Sequence, residues 1–401
     1  MRILLLTAGS RGDVEPFVGL ARHAQSAGHS VRLALPDRSG ADVVGLDTVS
    51  LGADFSAMIE DQGVSALAAM RTFRTRVKPI MRAVIVNAVR VALDYNPDVI
   101  LFHPKVLSAP IAAARMGIPY LVVELVPALT PTSTFPAPGT VTANLGPLNR
   151  LTYAAVRASA SMFGAELTEA RELAGGVSRR ERMPSPSATL IPISPLILHQ
   201  PPDWPATVHL TGAWTGSTAI AAADTELAEF VTAGEFVYAG FGSMASGDAE
   251  ARGQVIAEAV RARGSRLLVA TGLGGIAISD RVAGDDILVR PSVDHAQVLP
   301  QAFAAIHHGG IGTVHAAARA GITSIVVPFL ADQPFWGAQL HRNGMTPRPI
   351  PQRALAATRL ATALEEVPSY VERNREVGRA MASEDGLGVA LSLIEGVVRD
   401  R

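Results

Sequence analysis

The densest chemistry in the sequence lies in ten residues, Ile306-His307-His308-Gly309-Gly310-Ile311-Gly312-Thr313-Val314-His315. Glycines there let backbone N–H groups approach a ligand closely. A strand-like Ala304-Ala305-Ile306 precedes the run and an Ala-rich helix follows it. A helix N-terminus favours an anion, Thr313 can donate a hydroxyl, and a histidine can bond or neutralise a phosphate oxygen. The run reads equally as a diphosphate cradle and as a tight strand–helix turn with a capping threonine. Nineteen residues past Thr313 stands Asp332-Gln333-Pro334, after the apolar run Ser324-Ile325-Val326-Val327-Pro328. A carboxylate beside an amide at a strand's carboxyl end suits two adjacent sugar hydroxyls. Taken alone, the pair reads better as a helix N-cap.

Strand–turn–helix units must position these residues. Ile3 to Leu6 is a short apolar run, as expected of a strand buried on both faces. The turn Gly9-Ser10-Arg11-Gly12 follows, then a helix from Pro16 to Ala27 ending at Gly28, then a strand from Val31 to Leu35. The unit recurs as strand Asp98–Phe102, helix Ser108–Met116 and strand Tyr120–Val123. A long loop rich in Pro, Thr and Gly spans Thr130 to Asn149, and such loops often bind ligands. A Pro-rich stretch holds Pro192, Pro195, Pro201, Pro202 and Pro205. The rhythm then restarts at Phe236-Val237-Tyr238 and Gly240-Phe241-Gly242-Ser243, with a helix from Val255 to Ala262 and a strand at Leu267-Leu268-Val269. The expected class is α/β with two Rossmann-like, doubly wound parallel-sheet domains facing a central cleft. The domains are expected at residues 1–200 and 216–384, with a linker at 201–215. Residues 385–401 are expected to form a C-terminal helix that returns to the N-terminal domain.

Composition narrows the classes. Single cores stop growing at roughly 250–300 residues, and the chain has 401. With 48% hydrophobic and 18% charged residues, it is neither disordered nor fibrous. A net charge of −1 leaves no global footprint for nucleic acid. Cysteine is absent, which excludes disulfides, thiolate nucleophiles, Cys-zinc sites and iron–sulfur clusters. No Asp-x-Asp constellation occurs in a suitable context, so no metal site is expected. The apolar run at Ile3 to Leu6 is too short for a signal peptide, and no stretch is long enough to span a membrane. A cytoplasmic location is expected. From Gln62 to Leu93 there is no acidic residue, while Arg71, Arg74, Arg76, Lys78, Arg82 and Arg90 interleave with apolar residues. Such a stretch can touch an anionic membrane weakly, but it is more commonly a core-facing helix with a solvated basic face.

The run from His307 to Trp336 resembles the donor-binding signature of inverting, two-domain glycosyltransferases of the GT-B fold. The segment Gly9 to Pro16 resembles the subgroup of bacterial antibiotic glycosyltransferases and sterol 3-beta-glucosyltransferases. Tyr238 to Met244 and Val293-Asp294-His295 match as well. Phe102-His103-Pro104-Lys105, Phe135-Pro136-Ala137-Pro138 and Asn144 to Arg150 lean toward the sterol side. The similarity covers nearly the whole chain.

The resemblance implies roles residue by residue. His308, Gly310, Gly312 and Thr313 would meet the donor diphosphate, as would Ser243 at the end of the Gly-Phe-Gly-Ser turn. Val293 would meet the pyrimidine through its main chain. Asp332 and Gln333 would contact the transferred sugar. Asp13 stands where many relatives carry a catalytic histidine, so a carboxylate would be the general base. Without the resemblance, Asp13 reads as a turn residue capping the Pro16 helix, and Glu15 is its nearest competitor. Leu273 replaces a tryptophan common near the nucleotide, and Ala316 replaces the glutamate that plant-type relatives aim at the ribose. The implied reaction is inverting, metal-independent transfer of a hexose or deoxyhexose from a UDP-sugar or dTDP-sugar to a hydroxyl of a lipophilic acceptor. That acceptor would be a natural product, a polyketide or macrolide, or a sterol-like molecule. The sugar nucleotide is a co-substrate, and no cofactor is expected. Together with the Gln62 to Leu93 stretch, Leu125, Leu129, Phe135 and Met162 are expected to line the acceptor pocket. The alternative is a non-catalytic helper activating a partner transferase, which should have lost the donor motif that this chain keeps.

Overall fold

Ile3 to Leu6 are buried, and they form the centre of a parallel sheet. The structure, a computed structural model, describes residues 1–55, 73–176, 183–215, 224–242 and 247–400. The N-terminal half begins β1 (Arg2–Leu6), α1 (Arg11–Ser26), β2 (Ser30–Asp37), β3 (Asp47–Asp54) and α2 (Lys78–Tyr95). It continues with β4 (Val99–Phe102), α3 (Ala109–Met116), β5 (Tyr120–Val123), α4 (Asn149–Ala158) and α5 (Gly164–Leu173). Strands β6 (Ala188–Ile191) and β7 (Val208–Leu210) complete its seven-stranded sheet, ordered β3-β2-β1-β4-β5-β6-β7. Every pairing in it is parallel. The sheet therefore extends into the 201–215 stretch read from sequence as linker.

The second half carries α6 (Thr225–Thr232), β8 (Phe236–Gly240), α7 (Ala249–Ala262), β9 (Arg266–Ala270) and β10 (Ile287–Arg290). Then come α8 (His295–Val298), β11 (Ala304–His307), α9 (Ile311–Arg319), β12 (Thr323–Val326) and α10 (Gln333–Arg342). Its parallel five-stranded sheet is ordered β10-β9-β8-β11-β12. Helices α11 (Ala357–Glu366), α12 (Val371–Ala382) and α13 (Gly386–Arg399) close the chain. Helix α13 lays Ala390, Leu391 and Ile394 against the Val14, Phe17 and Trp214 cluster of the N-terminal sheet, and Glu395 meets His29 Nε2 at 3.0 Å.

Strand order reverses between β1 and β4 in one sheet and between β8 and β11 in the other. Ligands of open parallel sheets bind beyond the strand carboxyl ends at such reversals. Helix α1 starts at Arg11, not at Pro16 as its proline suggests. The Ser10 N–H donates to Asp13 Oδ2 at 2.8 Å, which caps the earlier start, while Pro16 withholds the donor that the Gly12 carbonyl would otherwise take. Asp13 thus sits in a helical first turn beside the sheet's switch point.

The basic segment behaves as a core helix where it is described; residues 62–72 of it lie outside the described residues. Met81, Val84, Ile85 and Val89 of α2 pack under the sheet. Lys78 pairs with Glu166 at 3.2 Å, and Arg82 with Glu169 at 2.8 Å. Among the described residues, no helix is long and apolar enough to cross a membrane.

The two halves share one apolar cluster. Phe135, Ile197 and Trp204 pack with Trp336, Leu340 and Met381. Asn343 Nδ2 donates to the Ile197 carbonyl at 2.8 Å, and Ser194 Oγ donates to Glu384 Oε1 at 2.6 Å.

Candidate functional site

Strand β11 delivers two adjacent histidines, and their surroundings separate them. His307 is fully buried, its Nε2 is 2.8 Å from Ser324 Oγ, and its Nδ1 accepts the Gly309 N–H at 3.1 Å. Both nitrogens are committed, and burial pushes its pKa down to about 3. Among the described residues His308 Nδ1 is buried without a partner, and burial pushes that ring down to about 4. It is a neutral imidazole near pH 7, able to donate from one nitrogen. Its neighbour Gly310 is the N-cap of α9 and supplies no side-chain cap. The first-turn N–H groups there stay open to an anion. A Cβ at Gly310 would collide with the His308 ring, so only glycine lets that ring lie over the helix start. Gly312 faces open space on the same turn, and Thr313 follows it half-buried.

The β8 turn closes the opposite wall. Gly242 takes φ +57°, and its missing Cβ points at His308 Cε1, 3.5 Å away. The Leu273 N–H donates to the Gly242 carbonyl at 3.0 Å, which joins the β8 and β9 turns. Ser243 lies outside the described residues. Leu273 is 55% exposed, so it presents an aliphatic surface beside the Gly242 turn. Val293 is half-buried before Asp294, which caps α8 by accepting the Ala296 N–H at 2.9 Å. His295 Nε2 meets the Tyr238 hydroxyl at 2.9 Å, a structural bond beneath the same turns.

Asp332 and Gln333 part company. Asp332 is half-buried at the N-cap of α10, and its Oδ2 accepts the Trp336 indole N–H at 2.6 Å. Burial raises its pKa. Gln333 is 4% exposed, and its Oε1 accepts the N–H groups of Phe329 and Leu330 at 2.8 and 3.1 Å. Its carbonyl oxygen holds the turn that aims Asp332. The preceding Ala331 takes φ +55°, a left-handed strain that concentrates at functional turns.

The N-terminal switch point brings Asp13 to the loop after β4. Lys105 Nζ lies 3.0 Å from both carboxylate oxygens, and His103 Nε2 lies 3.3 Å from Oδ1. Burial raises the Asp13 pKa, but the Lys105 charge and the His103 hydrogen bond outweigh it and hold the carboxyl well below the usual carboxylate range. The side chain still keeps 21% of its surface open. Asp332 feels the negative charge of Asp13 and the positive charge of Lys105, so the carboxylates of the two halves lie near one another. The Thr130–Asn149 loop meets the Asp332 turn: Gly139 abuts the Ala331 backbone, and the Phe135 and Phe335 rings lie 5.0 Å apart.

Sequence reasoning matched Phe102-His103-Pro104-Lys105 only as a string. The signal that Lys105 and His103 belong with Asp13 was strand order, because parallel pairing of Leu6 with Phe102 sets both following loops side by side. Glu124 was missed altogether. It is 3% exposed, and its carboxylate accepts Thr130 Oγ1 at 2.6 Å and the Leu129 N–H at 3.0 Å, folding the start of the long loop. Burial raises its pKa. The four residues expected to line an acceptor pocket are not gathered. Leu125 joins the Phe17 cluster, Phe135 joins the cluster shared by both halves, Leu129 is half-buried, and Met162 is 51% exposed. Alternation along the chain sends neighbours to different cores. Among the described residues, no group of three or more His, Asp or Glu is placed to hold a metal.

Residues 3–137 match the glycosyltransferase family 28 N-terminal domain, and residues 284–387 match the erythromycin biosynthesis protein CIII-like C-terminal domain. The chain is 34% identical to an O-mycaminosyltylonolide 6-deoxyallosyltransferase of Streptomyces fradiae, across 98% of this chain and 97% of that one. It is 29% identical to a sterol 3-beta-glucosyltransferase of Arabidopsis thaliana, across 98% of this chain and 64% of that one. Among solved structures it resembles the glycotransferase of kitacinnamycin, with TM-score 0.75 and 19% identity over 99% of this chain and 98% of that one. It also resembles the glycosyltransferase VinC in complex with DTDP, with TM-score 0.67 and 18% identity over 100% of each chain. These two show the fold. The chain belongs to the GT-B glycosyltransferases that join a family 28 N-terminal domain to an erythromycin-CIII-like C-terminal domain, and it is a glycosyltransferase.

Proposed function

We propose that the protein transfers a hexose or deoxyhexose from UDP-sugar or dTDP-sugar to a hydroxyl of a lipophilic acceptor, inverting the anomeric carbon without a metal. The acceptor class is a polyketide or macrolide natural product or a sterol-like lipid, the classes that the names of the similar enzymes span. One observation carries the reading: a carboxylate, Asp13, stands at the switch point of one sheet, and a neutral histidine, His308, stands at an uncapped helix N-terminus at the switch point of the other. His308 and the α9 N–H groups would take the diphosphate and stabilise the charge that develops as it leaves. Gly242 and the adjoining Ser243 would close over it. Val293 would border the pyrimidine, and Asp332 would take sugar hydroxyls. Asp13 would accept the acceptor proton. A carboxylate held this acidic is a weak base toward a free alcohol, so proton transfer comes late, once the acceptor oxygen is bonding to C1 and has become acidic.

Thermal denaturation tests the donor site, because a ligand of the native state raises Tm by mass action. Without added metal, UDP or dTDP should raise Tm, GDP should not, and His308→Ala should abolish the shift. Absence of any nucleotide shift would end this reading. The nucleotide that shifts Tm then defines the donor for an acceptor panel, with Asp13→Asn as the inactive control.

A further inference from the structure

Asp13 has more partners than a free base needs, and they are not equivalent. Oδ2 takes the Ser10 N–H at 2.8 Å, a backbone bond fixed by the start of α1. Oδ1 faces His103 Nε2 at 3.3 Å, and His103 is itself fixed: it is 7% exposed, and its Nδ1 accepts the Lys105 N–H at 3.2 Å. That bond leaves the ring proton on Nε2, so His103 donates to Asp13 and has no lone pair with which to act as a base. Lys105 is different. Its ammonium reaches both oxygens at 3.0 Å from a flexible stem, and its side chain is 44% exposed. Gly9 completes the cradle: at φ +135° it leaves no Cβ, and one there would run into Asp13 and Lys105.

We infer that Lys105 is the positioning residue of Asp13: its ammonium keeps the carboxylate ionised and turned to the cleft, and the acceptor hydroxyl displaces it from Oδ1. The inference rests on the reading of Asp13 as the base. In the transfer step the acceptor oxygen bonds to C1 while its proton passes to Oδ1. The C1–O bond to the diphosphate breaks, and its electron pair leaves with the diphosphate. Oδ2 stays anchored on Ser10 throughout. The displaced ammonium remains as counter-charge between Asp13 and Asp332, two carboxylates from different domains that would otherwise repel across the cleft. Among the described residues, the Arg11–Glu15 pair on the same helix, 2.5 Å apart, is a further pair of charges near Asp13, and His103 beside it is neutral.

The test is titration of the Asp13 carboxyl carbon by NMR in the full-length protein labelled at aspartate, with Asp13→Asn to assign the signal. In the native protein the signal should stay that of a carboxylate down to the acid limit of the fold. In Lys105→Met it should titrate at a pH higher by about one unit or more. Lys105→Arg should restore the native behaviour, which loss of packing alone would not. An unchanged titration in Lys105→Met overturns the inference. Acceptor-free release of nucleoside diphosphate from UDP-glucose or dTDP-glucose gives the pH profile beside it. If the NMR titration moves and the acid limb of turnover does not, the hold of Lys105 on Asp13 stands and Asp13 is not the base.

Discussion

The indole N–H of Trp336 donates to Oδ2 of Asp332 at 2.6 Å, one helical turn along α10. Trp336 is fully buried in the cluster that both halves share, so the bond ties the cleft carboxylate to the domain junction. Trp336→Phe keeps most of the volume and removes the donor. Asp332 then loses the group that favours its ionised form, and its pKa rises further. Transfer should fall about tenfold through kcat and donor KM, with about 2 kcal/mol lost in stability. Steady-state kinetics beside urea unfolding separate the two effects. Unchanged kinetics would remove Asp332 from the sugar site.

Adjacent histidines should fail in opposite ways. His307→Ala strands the Ser324 hydroxyl and the Gly309 N–H in a dry interior, and should cost about 3 kcal/mol. His308→Ala removes a ring whose Nδ1 has no partner among the described residues, and should leave unfolding within about 1 kcal/mol of native while nucleotide no longer shifts Tm. The converse pattern in a paired melt would mean that the roles are exchanged.

Gly9→Ala should disturb the site more than the fold. The new methyl group collides with the Asp13 carboxylate and sits on a backbone at φ +135° that an L-residue rarely takes. Turnover should drop by about a hundredfold as Asp13 turns away, whereas a nucleotide held by the other domain should still bind. Loss of nucleotide binding together with turnover would contradict this separation.

Acid should weaken the fold through histidines that stay neutral when folded. Burial pushes His307 to about 3 and His308 and His315 to about 4, against an ordinary value of 6.5. Above pH 6.5 they are neutral folded or unfolded and contribute nothing. Below it the unfolded chain takes protons that the native state refuses, so stability falls down to about pH 4, by roughly 1 kcal/mol per pH unit for each histidine. Asp13 adds its own loss only below about pH 5, where the unfolded carboxyl begins to take a proton and the native one stays ionised. His315→Gln should flatten the slope between pH 6 and 4.5 by about one proton in urea melts. A slope identical to native would show that His315 is not a neutral buried group.

Much of this was legible because βαβ units are local. Apolar runs of four or five residues, glycines at the turns and an Ala-rich stretch after them announce strand, turn and helix within one short segment, and the donor-side motif is one such segment. That is why His308, Gly310, Gly312 and Asp332 could be placed at strand-to-helix turns from the sequence. What tertiary structure decided is what depends on strand order and on which face is dry. Asp13 and Lys105 are 92 residues apart, and they meet because β1 pairs with β4 rather than because of any pattern in either loop. His307 and His308 are indistinguishable as letters; hydrogen bonding inside the sheet commits one, while Nδ1 of the other meets no partner among the described residues. Gln333 reads as a sugar ligand, and only the fold shows that its carbonyl oxygen is committed to the Phe329 and Leu330 N–H groups of its own turn. Leu125, Phe135 and Met162 look like one apolar pocket in the chain and go to a core, a domain junction and the surface, because burial is settled by the partners an element packs against and not by its composition.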